Sequence, residues 1–223
     1  MDEAREHADR NRTKDSISEL TTSRLSLYLR CLNHLETVGV TTISSQDLAD
    51  QFHLNSAQFR KDLACFGGFG IRGVGYDVDE LRRRLIETLG LGRVRPIVIA
   101  GAGNLGMALA HARRFNTEGF EVVAMVDNDP KKIGTRSRNG IRVLPLNDLP
   151  TIVKDNAVDI GIIAVPVEST QEVYEAMVGA EIRAILNFAP IRIEKHDGVK
   201  VKDVDLRVNL ETLSFHLRES EGR

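Results

Sequence analysis

The sequence predicts a two-part α/β protein, a small helical domain followed by a parallel sheet flanked by helices and closed by a C-terminal helix. Three observations predict it. Past residue 95, short β-branched runs ("PIVIA", "EVVAMV", "VDIGIIAV", "AILNF") recur with helical segments between several of them, the pattern of βαβ units feeding one buried sheet. Before residue 66 the apolar residues fall at helical spacing, in segments broken by short turns. Between these regions lie "GGFGIRGVGY", with five glycines in ten residues, and the linker "LGRVRP".

The elements follow in order. Residues 1–21 mix both charges without an apolar segment and read as a disordered tail, not a signal peptide. "TSRLSLYLRCLNHL" places Leu25, Tyr28, Leu29, Leu32 and Leu35 on one helical face behind Thr22 or Ser23 as N-cap, and Gly39 closes it. Ser44 or Ser45 opens a second short helix with Leu48, Ala49 and Phe52 inward; Asn55 caps a third, "SAQFRKDLACF". Two short helices joined by a tight turn form a helix-turn-helix pattern, and the glycine stretch after them suits a two-stranded wing. Residues 22–92 therefore read as a winged helix-turn-helix domain, 95–207 as the sheet domain, and 208–223 as a terminal helix. Within the sheet domain, helices are predicted over 104–115, 146–156 and 169–178, with a last strand over 199–206.

Composition excludes several classes. Hydrophobic content is 42% with 28% charged residues and a formal charge of −2, and no apolar run reaches membrane-spanning length. The two cysteines, Cys31 and Cys65, lack metal-ligand spacing, which argues against a zinc site or a disulfide framework and suits a reducing cytoplasm. Both fall in or at the end of an apolar helix face and read as buried, inert thiols.

The chemistry concentrates in "VIAGAGNLGMALAHARRF". Gly101, Ala102, Gly103, Asn104, Leu105 and Gly106 form a G-x-G-x-x-G loop that follows a strand and opens a helix, so backbone N–H groups and the helix dipole converge on one anion site. Asp127, 21 positions after Gly106 and at the end of the next strand, is placed to accept both ribose hydroxyls of an adenosine and to repel a 2′-phosphate. This makes the sheet domain Rossmann-like and favours NAD(H). A ligand-free glycine turn and a coenzyme A site are the alternatives, and Asp127 weighs against the second because that ribose carries a 3′-phosphate.

A hydride-transfer enzyme also needs an acid or base at the nicotinamide. The six histidines, His7, His34, His53, His111, His196 and His216, occupy no recognisable catalytic motif, and residues 95–207 leave no room for a substrate domain. On the third helix Ser56, Gln58, Arg60 and Lys61 are placed to meet a DNA groove, and Arg72 in the wing to meet a phosphate or the minor groove. Between residues 22 and 95 ten Lys/Arg face eight Asp/Glu, so the DNA reading rests on arrangement and not on charge. A cofactor site beside a DNA reader suggests a sensor.

The segments "SRLSLYLRCL", "FRKDLACFGGFGIRGVGY", "GAGNLG", "VDNDPKKIG", "AVP", "ILNFAP" and "VDLRVNLETLSF", in this order, resemble the Rex family, the redox-sensing transcriptional repressors of bacteria. The resemblance runs from about Thr22 to Leu217. It implies a homodimer whose terminal helix, from about Asn209, is exchanged between copies, with Leu210, Leu213 and Leu217 as its stripe and Phe215 beside it. It implies binding to A/T-rich inverted-repeat operators in double-stranded DNA, release by NADH, and weaker binding of NAD⁺. It implies that Phe188 packs on the nicotinamide with Val165 and Pro166 lining the approach, and that Arg30 and Asp205 form a charged pair linking the DNA-binding domain to the site. One departure stands out: several relatives carry a Tyr on the helix after the glycine loop where this chain has Ala112, so an exchange of Tyr for arginine at Asp205 is not open to it in that form. The rival readings are a small NAD-dependent oxidoreductase and a coenzyme A-binding module like the α-subunit of succinyl-CoA ligase.

Overall fold

The computed structural model describes residues 18–67, 70, 74–112 and 119–221, and the chain divides into two compact units at Gly92 and Arg93. The first unit is built from α1 (Glu19–Thr37), β1 (Thr42–Ile43), α2 (Ser45–Phe52), α3 (Ser56–Ala64), β2 (Tyr76–Asp77) and α4 (Val78–Thr88). α1 begins one turn before the expected caps, because the Ser18 hydroxyl accepts the Thr21 N–H at 3.1 Å. Ser44 and Asn55 do cap α2 and α3, accepting from Asp47 and Gln58. Between α2 and α3 the chain turns through His53, at φ 53°. Leu25, Leu32 and Leu35 of α1, Leu48 of α2, Phe59 and Leu63 of α3, and Leu81 and Leu85 of α4 close one core. Each such side chain removed from water contributes about 2 kcal/mol, which is what holds helices this short. β1 and β2 pair antiparallel, Thr42 with Asp77 and Ile43 with Tyr76. Arg72 and half of the expected wing lie outside the described residues.

The second unit is a six-stranded parallel sheet in the order β5-β4-β3-β6-β7-β8, from β3 (Arg95–Ala100), β4 (Phe120–Asp127), β5 (Val143–Pro145), β6 (Ile160–Ile163), β7 (Ala184–Asn187) and β8 (Lys200–Asp203). Alternate residues of β3 bury on opposite faces: Ile97 and Ile99 on one, with Ala110 of α5 (Asn104–His111), and Val98 and Ala100 on the other, with α6 (Leu149–Asn156) and α7 (Thr170–Gly179). Burial on both faces is why these strands are apolar runs rather than alternating ones. α5 ends at His111, and residues 113–115 of the expected helix are not described. The chain finishes in α8 (Leu206–Glu221), which starts three residues before the expected Asn209; the Asp205 carboxylate accepts the Arg207 N–H at 2.8 Å. Leu206, Val208, Leu210, Leu213, Phe215 and Leu217 of this helix are all exposed.

One thiol departs from expectation. Cys31 is buried, but Cys65 is exposed at the end of α3, where the helix's inward face has already been taken by Phe59 and Leu63. Among the described residues no helix is long and apolar enough to cross a membrane.

Candidate functional site

Strand order reverses between β3 and β6, and the crevice beyond their carboxyl ends is where open α/β sheets take ligands. Here it forms a cavity of about 460 Å³. Gly101, Gly103, Asn104 and Leu105 line one wall, Asp127 and Lys132 the rim beyond β4, and Val165, Pro166 and Phe188 the side fed by β6 and β7. Ala102 and Gly106 are buried behind the loop and do not line it.

The glycines differ in what they permit. Gly101 has φ 102°, and a Cβ there would run into the Ala164 carbonyl; a Cβ on Gly106 would strike the Gly101 carbonyl. These two let the loop turn and the helix lie against the strand. Gly103 instead faces open space, so its lack of a side chain leaves room for a ligand and not for the fold. It stands at the N-cap of α5 with no side-chain cap, leaving the first N–H groups of the helix for an anion.

Asp127 is tied to that loop. Its Oδ2 accepts the Ala102 N–H at 2.7 Å and the Lys132 ammonium at 3.0 Å, and its Oδ1 accepts the Asp129 N–H at 2.8 Å. Burial pushes this carboxyl up, but the Asp129 and Ala102 N–H groups and the Lys132 charge outweigh it and hold the group below the ordinary carboxylate range. It is therefore ionised at neutral pH. The opposite wall is positioned by Asn187, fully buried at the end of β7. Its amide donates to the Ala189 and Ile191 carbonyls and to Asp203, and its oxygen accepts the Ala189 N–H, shaping the turn that carries Phe188.

No described histidine lines the cavity. The His111 ring accepts the Arg138 N–H at 2.6 Å, and His196 contacts Glu175 at 2.9 Å. Among the described residues no three His, Cys, Asp or Glu side chains group as a metal site.

In the first unit α3 offers Arg60 and Lys61 to solvent, with Ser56 and Gln58 half-buried. Arg60 donates to Ser45 Oγ at 2.8 Å and Ser56 to Gln46 at 3.1 Å, so α2 steadies two of these side chains. Gln58 donates to Asp62 at 2.8 Å. Asp62, 3% exposed, also receives Arg24 through Nε at 2.6 Å and Nη2 at 2.7 Å, and the Tyr28 hydroxyl at 2.9 Å. One carboxylate thus fastens α3 to α1. Arg82, Arg83 and Arg84 are engaged with Asp79, Glu80 and Glu36 along and beside α4. Arg30 is exposed on α1, and Asp205, half-buried, stands just ahead of α8.

A helix-turn-helix unit and a dinucleotide-type crevice meet known proteins in both halves. A family model described as "Putative DNA-binding protein N-terminus" matches residues 16–64, and one described as "CoA binding domain" matches residues 94–191. The redox-sensing transcriptional repressor Rex of Desulforamulus reducens is 48% identical over 92% of this chain and 97% of its own length. That of Carboxydothermus hydrogenoformans is 49% identical over 91% and 97%. The chain belongs to the Rex family. Among solved structures, RSP, a Rex-family repressor, in complex with β-NAD⁺ and operator DNA matches at TM-score 0.87 and 36% identity, over 92% of this chain and 94% of that one. RSP in complex with β-NADH matches at 0.81 and 35%.

Three groups of this Rex chain escaped the sequence reading: Lys132, Asn187 and the Arg24–Tyr28–Asp62 cluster. Asp62 did leave a signal, since it shares the helical face of Phe59, Leu63 and Phe66, where an acid needs a partner.

Proposed function

We propose that this chain is an NADH-responsive transcriptional repressor that acts as a homodimer in the cytoplasm, holds double-stranded operator DNA bearing an inverted repeat when NADH is scarce, and releases it when NADH fills the crevice. The observation that carries the reading is the pairing, within one Rex-family chain, of a helix-turn-helix unit with a glycine-loop crevice that has an ionised carboxylate at its adenosine end. Gly101, Gly103, Asn104 and Leu105 would hold the pyrophosphate, with Ala102 and Gly106 shaping the loop behind them. Asp127 would accept the ribose hydroxyls. Val165, Pro166 and Phe188 would meet the nicotinamide. When bound, NADH presents an uncharged dihydronicotinamide where NAD⁺ presents a cationic aromatic ring, and an apolar wall of this kind favours the former.

Ser56, Gln58, Arg60 and Lys61 would face the DNA, joined by Arg72. The exposed apolar residues of α8 would be covered by the second copy, since a helix with six such side chains in water lacks the burial that ordinarily stabilises one. Two half-sites must match the spacing of two recognition helices, so a ligand that favours another spacing releases the DNA only through its differential affinity for the two forms. A coenzyme A reading has one specific support, the family model matching residues 94–191. Asp127 opposes it, because the ionised carboxylate meets the 3′-phosphate of that ligand.

The deciding measurement is anisotropy of a labelled inverted-repeat duplex at fixed salt, titrated with NADH, NAD⁺ and coenzyme A. Release by NADH well below the concentration at which NAD⁺ acts is the expected result; release by coenzyme A alone overturns the reading. In the same assay Arg60→Ala is expected to weaken operator binding by about 1–3 kcal/mol, the range of a base-edge contact, while NADH binding stays intact. Arg30→Ala is expected to bind NADH normally but to need more of it for release. Unchanged DNA affinity together with a full NADH response would remove Arg30 and Asp205 from the switch.

A further inference from the structure

We infer that Lys132 is a specificity-determining residue at the adenosine end of the crevice, setting how far the site rejects a dinucleotide that carries a 2′-phosphate. The inference rests on the reading of the crevice as an NADH site.

Rossmann-type sites for the unphosphorylated dinucleotide present an acid to the ribose hydroxyls, and those for the phosphorylated form present a base nearby. This crevice holds both. Asp127 and Lys132 line it together, with the ammonium 3.0 Å from Asp127 Oδ2 and 4.0 Å from Asp129. Lys132 is not needed to hold the acid in place, because the Ala102 and Asp129 N–H groups already fix one carboxylate oxygen each. Nor is it buried: its side chain is 39% exposed, and an ammonium has three donors, of which Asp127 takes one. A 2′-phosphate arriving beside Asp127 meets a like charge, and Lys132 is the cation that offsets it. The arrangement makes rejection of the phosphorylated dinucleotide partial, with the acid opposing and the base assisting.

The test is a titration of the full chain with NADH and with NADPH, followed by nicotinamide fluorescence, for the unmodified protein, Lys132→Gln, Asp127→Asn and the double variant. Lys132→Gln is expected to weaken NADPH about tenfold more than NADH, the worth of one charge-assisted hydrogen bond. Asp127→Asn is expected to improve NADPH binding by a similar factor, and the gain should vanish when Lys132 is also replaced. An unchanged NADH-to-NADPH ratio in Lys132→Gln, or a gain in Asp127→Asn that survives loss of Lys132, overturns the inference. Should Asp127→Asn not fold, Lys132→Gln decides alone, since it alters a half-buried side chain outside the core. Failure of the unmodified chain to bind NADH would instead overturn the cofactor reading and the inference with it.

Discussion

Asp62→Ala is expected to destabilise the DNA-binding unit by about 3 kcal/mol or more, as the loss of one partner from a buried, hydrogen-bonded charge cluster does. The carboxylate accepts from Arg24, Tyr28 and Gln58, and Tyr28 is only 2% exposed, so its hydroxyl would be left without an acceptor in an apolar core. Domains of this size hold about 5–15 kcal/mol in total, so operator binding should collapse near 37 °C while the crevice, built from residues beyond 93, still takes NADH. Urea denaturation followed by circular dichroism, with NADH binding measured in parallel, checks both halves of the expectation.

The same cluster sets a pH window. Hydrogen bonds from Arg24 foremost hold the Asp62 carboxyl below its ordinary range despite its burial. A folded pKa below the unfolded one contributes stability that is complete above the unfolded value, about 4, and that is lost as pH falls through the folded value. Burial first, and then Asp62, pushes the Tyr28 hydroxyl up to about 12, so its contribution is complete below its unfolded pKa and fades as pH rises through the folded one. The first unit should therefore lose stability in acid below about pH 4 and in alkali above about pH 10. Asp62→Ala should flatten the acid limb.

Gly103→Val should produce a repressor that no longer hears its ligand. A Cβ at Gly103 meets nothing within 4 Å, so the fold tolerates it, whereas the same change at Gly101 or Gly106 drives a side chain into backbone. The isopropyl group instead takes the space through which a pyrophosphate approaches the N–H groups of α5. NADH affinity is expected to fall by about two orders of magnitude, the scale on which close backbone approach to phosphates matters. Operator affinity in the absence of NADH should remain. A titration in which NADH still released the duplex at its usual concentration would show that the dinucleotide lies elsewhere.

What could be read from the sequence was what local physics dictates. The N-caps at Ser44 and Asn55, the apolar runs of β3, β4, β6 and β7, and the glycine loop each express their cause within a few residues. β5 did not announce itself, because three edge residues carry too little pattern for alternation to show. Asp62 sits on an apolar helical stripe, but two of its partners, Tyr28 and Arg24, lie 34 and 38 residues away, and only the packed unit brings them together. In "DPKK" nothing local tells which lysine reaches back; the turn closed by the Asp129 N–H on Asp127 selects Lys132. Cys65 illustrates the reverse error, since an apolar neighbourhood in sequence left it facing water once α3 had chosen its inner side.

The reversal of strand order between β3 and β6 has a consequence for how such a sensor can be tuned. With the dinucleotide lying as proposed, the adenosine rests on the half made of β3, β4 and β5, and the ring that changes on reduction rests on the half made of β6, β7 and β8. The oxidised and reduced ligands are identical at the first half, so changes there scale both occupancies alike and cancel from their ratio. Only the second half can adjust the redox set point, and it is the half whose last strand runs through Asp205 into α8. Sensitivity to the total dinucleotide pool and the ratio at which genes are released are thus carried by separate stretches of chain, free to drift independently.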